Sequence, residues 1–300
     1  MRTLTMLLVS VCGAGLAWAS DDTFERTVAA DPHGSVEISN VSGKIEVSAW
    51  DNPQVQVRAE HSGGPDNIRV ESDHGHVSIR VMIPGASSGW HGTDTDLQVK
   101  VPRESELDAS GVSSDITVTD VQGPLQLKTV SGSIRTDAFQ RNVEAKSFSG
   151  NVTIQARSAS APLHVSAISG TVKVEHGVGD LEVTNVSGNV VLHLDTMKSL
   201  RVHTTSSDIS IDGKLLKGGN IDANTVSGSM KLRILPESGF DYEISTFSGD
   251  IENCMGGQSE HTSQYGPGSR LRGTVGKGGG DDAQVRLKSM SGDIRLCDKP

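Results

Sequence analysis

A five-residue corner recurs along this 300-residue chain, and it sets what the chain can fold into. Its form is an apolar residue, then Ser-Gly, then a variable residue, then a second apolar residue, as in Val41-Ser42-Gly43-Lys44-Ile45. The corner returns with its first residue at 112, 130, 148, 168, 186, 205, 226 and 247, at intervals of 18, 18, 20, 18, 19, 21 and 21 residues, and once more at Met290. Eight markers in near-register are not chance, and a fixed period of this length is the signature of a stacked repeat. The corners Ser131-Gly132, Ser149-Gly150, Ser169-Gly170, Ser187-Gly188, Ser227-Gly228, Ser248-Gly249 and Ser291-Gly292 share one chemistry. Glycine supplies a positive φ at little steric cost, and the serine hydroxyl can bond locally to the turn. At Ser114 and Ser207, where glycine is replaced, the next residue is the turn former Asp115 or Asp208.

The flanks of the corner repeat as well. Apolar-x-apolar pairs precede it, such as Leu125 and Leu127, Leu163 and Val165, or Leu181 and Val183. Period-two alternation puts each pair on one face and the intervening Gln126, His164 or Glu182 on the other. One coil cannot bury its own apolar edge, but coils stacked about 4.8 Å apart can, each strand pairing with those above and below. Aromatic residues make up only 3% of the chain, so the core has to be Val, Ile and Leu in a narrow space. The predicted fold is all-β: a single-stranded β-solenoid, or β-helix, with coils of about 18–21 residues. A β-sandwich of the same strand content would not need the same corner in every unit.

The expected organisation has three parts. Residues 1–19 read as a signal peptide: Arg2, an apolar run from Leu4 to Leu16, then the small-x-small Ala17-Trp18-Ala19. A lipoprotein anchor at Cys12 is disfavoured, because Val11 stands where a small residue is needed. Residues 20–105 read as an irregular N-terminal capping part of the solenoid, and 106–300 as its regular repeats. No later segment is apolar enough to span a membrane, so the mature chain is expected to have no integral membrane segment. The charge balance is acidic, 37 Asp and Glu against 27 Lys and Arg, which argues against a nucleic-acid partner.

Once the leader leaves, Cys254 and Cys297 are the only cysteines. Each lies seven residues after its corner, at Phe247 and Met290, so both occupy the same place in the repeat. On adjacent rungs they would be about 4.8 Å apart, within reach of a disulfide stapling the C-terminal end.

The recurring Val-Ser-Gly-x-Ile corner, the segment Ile45-Glu-Val-Ser-Ala-Trp50-Asp51, and the closing Leu271-Arg-Gly-Thr-Val, Gly-Gly-Gly and Ser-Gly-Asp-Ile sequences resemble the DUF4097 family. Its members are bacterial β-strand-repeat proteins that carry an adhesin label. The resemblance covers roughly residues 24–297 and implies a single-stranded β-helix outside the cytoplasm. It brings no catalytic residues, and fold does not settle function.

Several side chains invite a chemical reading. The serine column could be mistaken for nucleophiles, but no histidine recurs beside it to act as base. His74 and His76, read as two apart on one strand, would point to one face and are weak candidates for a metal. His61 and His91 lie elsewhere in the same region, and a third ligand is not evident. The corner acids Asp115, Asp208, Asp250 and Asp293 are too dispersed for a glycosidase pair. Only Trp50, Trp90, Tyr242 and Tyr265 could stack on sugars. The sequons at Asn40, Asn151 and Asn185 fall at strand and corner positions and carry no weight.

The expected function is therefore non-enzymatic, without a cofactor. The chain would be an exported rod, periplasmic or on the cell surface, acting as an adhesin or envelope scaffold toward a protein or glycan ligand. A self-assembling filament is the alternative, and a polysaccharide-active enzyme comes third.

Overall fold

The computed structural model describes residues 23–60, 67–82, 94–157, 162–237, 239–255, 260–261, 268–276 and 282–297. The leader, His61, Trp90, His91, Tyr265 and the glycine turn at 278–280 lie outside the described residues. The strands of the first part are β1 (Phe24–Ala29), β2 (Ser35–Trp50), β3 (Gln54–Glu60), β4 (Ile68–Asp73), β5 (His76–Val81), β6 (Thr95–Pro102) and β7 (Glu106–Thr119). Then come β8 (Leu125–Ser131), β9 (Ile134–Ala138), β10 (Val143–Ser149), β11 (Val152–Ala156) and β12 (Leu163–Ser169). β13 (Val172–Ser227) stays extended through the corners at Gly188 and Ser207. The chain closes with β14 (Met230–Pro236), β15 (Phe240–Ser248), β16 (Ile251–Asn253), β17 (Glu260–His261), β18 (Ser269–Val275), β19 (Ala283–Ser291) and β20 (Ile294–Cys297). All twenty belong to one sheet, and no described residue is α-helical.

The alternation seen in the sequence becomes parallel pairing in strict register. β7, β8, β10, β12 and β13 stack so that Leu107, Leu125, Val143, Leu163 and Leu181 form one buried column. Beyond the corner, Ile45, Ile116, Ile134, Val152 and Val172 form the facing column. Similar aliphatic side chains at equivalent positions fill the same space in each rung, so a core of Val, Ile and Leu packs without large rings.

The order of rungs in space is not their order in the chain. β2 lies between β7 and the later strands β5 and β6: Ser35 pairs with Glu106 on one side and His76 on the other. The C-terminal end repeats the device. β19 slots between β13 and β15, with Ser291 in register with both Ser227 and Ser248. The final segment is thus the second rung from its end.

Both ends then switch to antiparallel pairing. β3 runs antiparallel to β6 and to β1, and β4 to β5. At the other end β18 runs antiparallel along Phe240 to Thr246 of β15, Phe240 opposite Val275. These strands cover the open edges that a parallel stack would otherwise present.

Candidate functional site

The corner ladder is the most repeated feature of the molecule, and its geometry explains its composition. Gly132, Gly150, Gly170, Gly188, Gly228, Gly249 and Gly292 all have positive φ, between 125° and 154°. They also sit against the next rung: a Cβ on Gly150 would lie 2.0 Å from the Gly132 carbonyl oxygen, and one on Gly292 would lie 2.1 Å from that of Gly228. Five of these amides donate across rungs, Gly132 to Ser149, Gly150 to Ser169, Gly170 to Ser187, Gly228 to Ser291 and Gly292 to Ser248, at 2.9–3.1 Å.

The corner acids have a structural use. Asp115 Oδ1 accepts the Ser133 amide at 2.7 Å, Asp208 Oδ1 accepts that of Ser229 at 2.8 Å, and Asp293 Oδ1 accepts that of Asp250 at 2.9 Å. Asn151 does the same for Thr171. The corner serines 131, 149, 169, 187, 227, 248 and 291 are exposed in an even row.

Two columns beside the corner were not recognised from the sequence. The first is polar and buried, one residue before the corner's apolar residue: Asn40, Thr129, Ser147, Asn185, Thr204, Thr225, Thr246 and Ser289. Thr129 Oγ1 donates to the Ser114 carbonyl at 3.0 Å, Ser147 Oγ to Gly132 at 3.2 Å, and Thr246 Oγ1 to Gly292 at 3.1 Å. Asn40 and Asn185, two of the sequons, are buried in this column. A small hydrogen-bonding residue before nearly every corner was the available signal.

The second column is apolar and exposed. The residue that opens the corner faces solvent at Val112, Val130, Phe148, Ile168, Val186, Val226, Phe247 and Met290, each 40–60% exposed. An apolar residue in an alternating strand reads as core. Here it lies outside because it directly follows the last inward position, the buried polar residue, and the corner begins before the alternation can return inward.

His74 and His76 do not share a strand, which corrects the premise of the metal reading. His74 and Gly75 form the two-residue turn joining β4 to β5, with φ of 45° and 84°, and Asp73 pairs with His76 across it. His74 Nδ1 bonds to Asp73, whereas His76 Nδ1 lies 2.8 Å from Ser35 Oγ and its Nε2 3.7 Å from Glu37. Among the described residues no group of three or more His, Cys, Asp or Glu side chains could hold a metal ion.

Cys254, one residue past β16, and Cys297, the last residue of the paired strand β20, form a disulfide with Cα atoms 4.8 Å apart. Of the candidate sugar platforms, Tyr242 is buried against Phe240 with its hydroxyl accepting from Asn253 Nδ2, and Lys100 covers the Trp50 ring at 5.7 Å. An open groove of about 490 Å³ beside β3 and β6 is polar and of mixed charge, lined by Glu25, Glu46, Gln56, Arg58, Gln98 and Lys100.

Outward charges also stack in register, and their titration reflects it. Glu37, Asp108, Gln126 and Glu144 form one column. Partial burial raises the Asp108 carboxyl above its ordinary range; Lys128 opposes this, and Glu37, Glu106 and Glu144 add to it. Glu144 is instead held low, chiefly by its bond to Lys146. No helix among the described residues is long and apolar enough to cross a membrane.

No curated protein matches the chain. Several solved structures are similar at low identity. One is a "putative adhesin" from Bacteroides fragilis NCTC 9343, 14% identical with a TM-score of 0.44, covering 92% of this chain and 98% of its own. A "putative lipid binding protein" from Parabacteroides distasonis ATCC 8503 is also 14% identical, with a TM-score of 0.33, and covers 92% and 97%. A "putative adhesin" from the same strain is 9% identical with a TM-score of 0.31, and covers 92% and 98%. The profile of one family, Toastrack DUF4097, matches residues 79–297, nearly all of the ladder and both of its bridged cysteines. The chain belongs to the Toastrack DUF4097 family.

Proposed function

We propose that this chain is an exported, non-enzymatic β-solenoid with coils of about 18–21 residues, acting as an adhesin-like binding or scaffold rod in the cell envelope. The observation that carries the reading is the use made of the corner residues. Asp115, Asp208 and Asp293 are spent on backbone amides of the neighbouring rung, and no histidine recurs from rung to rung beside the row of serines. Side chains that could do chemistry hold the ladder together, and what remains for function is its extended surface.

In this reading residues 1–19 are a cleaved leader, 20–105 cap the solenoid, and 106–300 supply its regular repeats and stapled end. The Cys254–Cys297 bridge supports an oxidising compartment. A protein or glycan of the envelope is the proposed ligand class, met through many weak, similar contacts. End-to-end filaments are disfavoured by the antiparallel strands at both ends.

Protease accessibility on intact cells, compared with cells whose outer membrane is permeabilised, tests the address. Cleavage on intact cells supports a surface rod and adhesion. Protection until permeabilisation removes adhesion and leaves a periplasmic scaffold, and protection until the inner membrane is lysed removes the reading altogether.

A further inference from the structure

The exposed apolar column is the feature left unexplained by the ladder, since its side chains contribute nothing to the core. Val112, Val130, Phe148, Ile168, Val186, Val226, Met290 and Phe247 follow one another in the spatial order of the rungs, with Thr205 the single polar interruption. The rung of Thr205 is fixed in place by Asn185 bonding to Ser207 and Thr204 bonding to Thr225. The exposed fractions correspond to roughly 700 Å² of surface, above the few hundred Å² that a monomer usually leaves in one apolar patch. A standard protein interface covers about 800 Å² on each partner.

The flanks of the column are sorted by charge. Two residues before the apolar position stand Lys128, Lys146, His203 and Lys288, and no acid occupies this flank on any rung. Three residues after it stand Asp115, Asp208, Asp250 and Asp293, and no base occupies this flank from Val112 onward. An apolar ridge with a basic bank and an acidic bank is complementary to itself under one operation: a two-fold axis parallel to the rod. That rotation lays ridge on ridge and sets the basic bank against the acidic bank of the same rung, Lys288 toward Asp293 and His203 toward Asp208. An antiparallel arrangement would face basic bank to basic bank instead. A partner must also match a rung spacing of about 4.8 Å, which another copy does automatically.

We propose that the column is the interface of a parallel, side-by-side homodimer of this chain. Each side chain meets its own counterpart, so the contact is isologous and closes at two copies. The proposal does not depend on where the chain resides or on what else it binds.

Sedimentation of the chain, purified with its disulfide intact, is the test, with Phe148→Ser and Met290→Ser made singly and together. These side chains are exposed, so the variants should keep the far-UV spectrum and melting temperature of the parent. The expected result is a concentration-dependent monomer–dimer equilibrium. Each substitution acts twice in an isologous contact and should weaken it about tenfold or more. Oxidation of a Val112→Cys variant should link it to its own counterpart, because only the parallel arrangement brings the two ends of like number together. A parent that stays monomeric at high concentration overturns the proposal, as does a dimer indifferent to the double variant. Failure of Val112→Cys to cross-link overturns the parallel geometry. Flotation of a monomer with phospholipid vesicles, lost in the double variant, would assign the ridge to a membrane surface and overturn the dimer.

Discussion

Replacing Gly150 by alanine separates the two reasons for a corner glycine, provided Gly75→Ala is made beside it. Both residues have positive φ, 154° and 84°. At Gly75 an added Cβ has only the Asp31 Cβ nearby, at 3.5 Å, an ordinary contact. Its cost is the backbone term alone, about 1–2 kcal/mol. At Gly150 the backbone term is about 1–3 kcal/mol, and a Cβ would also lie 2.0 Å from the Gly132 oxygen and 2.6 Å from its carbonyl carbon. Relief requires the two rungs to part by about 1 Å, because real Cβ contacts rarely fall under 3.0 Å. That movement stretches the bonds from Gly132 N to Ser149 O, at 3.1 Å, and from Ser147 Oγ to Gly132 O, at 3.2 Å. Each is worth about 1 kcal/mol net, so Gly150→Ala should cost about 3–5 kcal/mol in all. Urea unfolding followed by far-UV circular dichroism measures both variants against the parent. Stability in a stacked repeat is a sum of rung and interface terms, so the loss should also appear as faster amide exchange centred on residues 132–169. Equal urea midpoints for the two variants would refute the argument, since backbone conformation alone would then account for the glycines.

Three further outcomes follow from the same geometry. Replacing both Cys254 and Cys297 by serine opens a loop of 43 residues and should lower stability by up to about 4 kcal/mol, measured as the shift in urea midpoint between oxidised parent and variant. Asp108 titrates above its ordinary range in the folded chain because it is partly buried. A carboxyl raised in this way favours the folded state when protonated, so its contribution is lost as pH rises from the unfolded value through the folded one. Asp108→Asn should therefore match the parent in acid and exceed it in melting temperature near pH 7; a variant less stable at pH 7 would show that the carboxylate is favourable. Ser147→Ala removes a donor from the buried column and should cost about 1 kcal/mol, whereas Ser166→Ala, on the outward face, should be neutral by the same melts.

How much of this was legible in the sequence depends on the range of the interaction concerned. The corner, the alternation and the equivalence of the two cysteines are local patterns, and Gly150, Leu163 and Cys254 could each be assigned a role from their neighbours. The histidine pair failed for a local reason as well. His74-Gly75 is itself a two-residue turn, and treating His74 as a strand position put both rings on one face. The exposed ridge was missed because hydrophobicity alone places Phe148 inside. Only the spacing between the last inward residue, Ser147, and the corner turns it outward.

The order of the rungs was hidden for a different reason, and it follows from the success of the repeat. When nearly every coil offers Leu or Val in one column, a small polar side chain in the next and the same corner carbonyl, any coil can stack on any other with nearly equal local energy. The repeat therefore specifies that rungs stack and leaves open which rung lies next to which. That choice falls to the parts that are not repeated. At the C-terminal end β18 needs the free edge of β15, and Phe240 to Thr246 pair with Val275 to Ser269. With β15 so covered on its outer side, β19 can reach it only from within, between β15 and β13. The bridge from Cys254 to Cys297 then ties the covered rung to the inserted one. At the other end β3 and β4 play the part of β18, covering β6 and β5 and leaving β2 the inner place beside β7. The least regular residues of the chain, by this argument, are the ones that make the regular part a single structure.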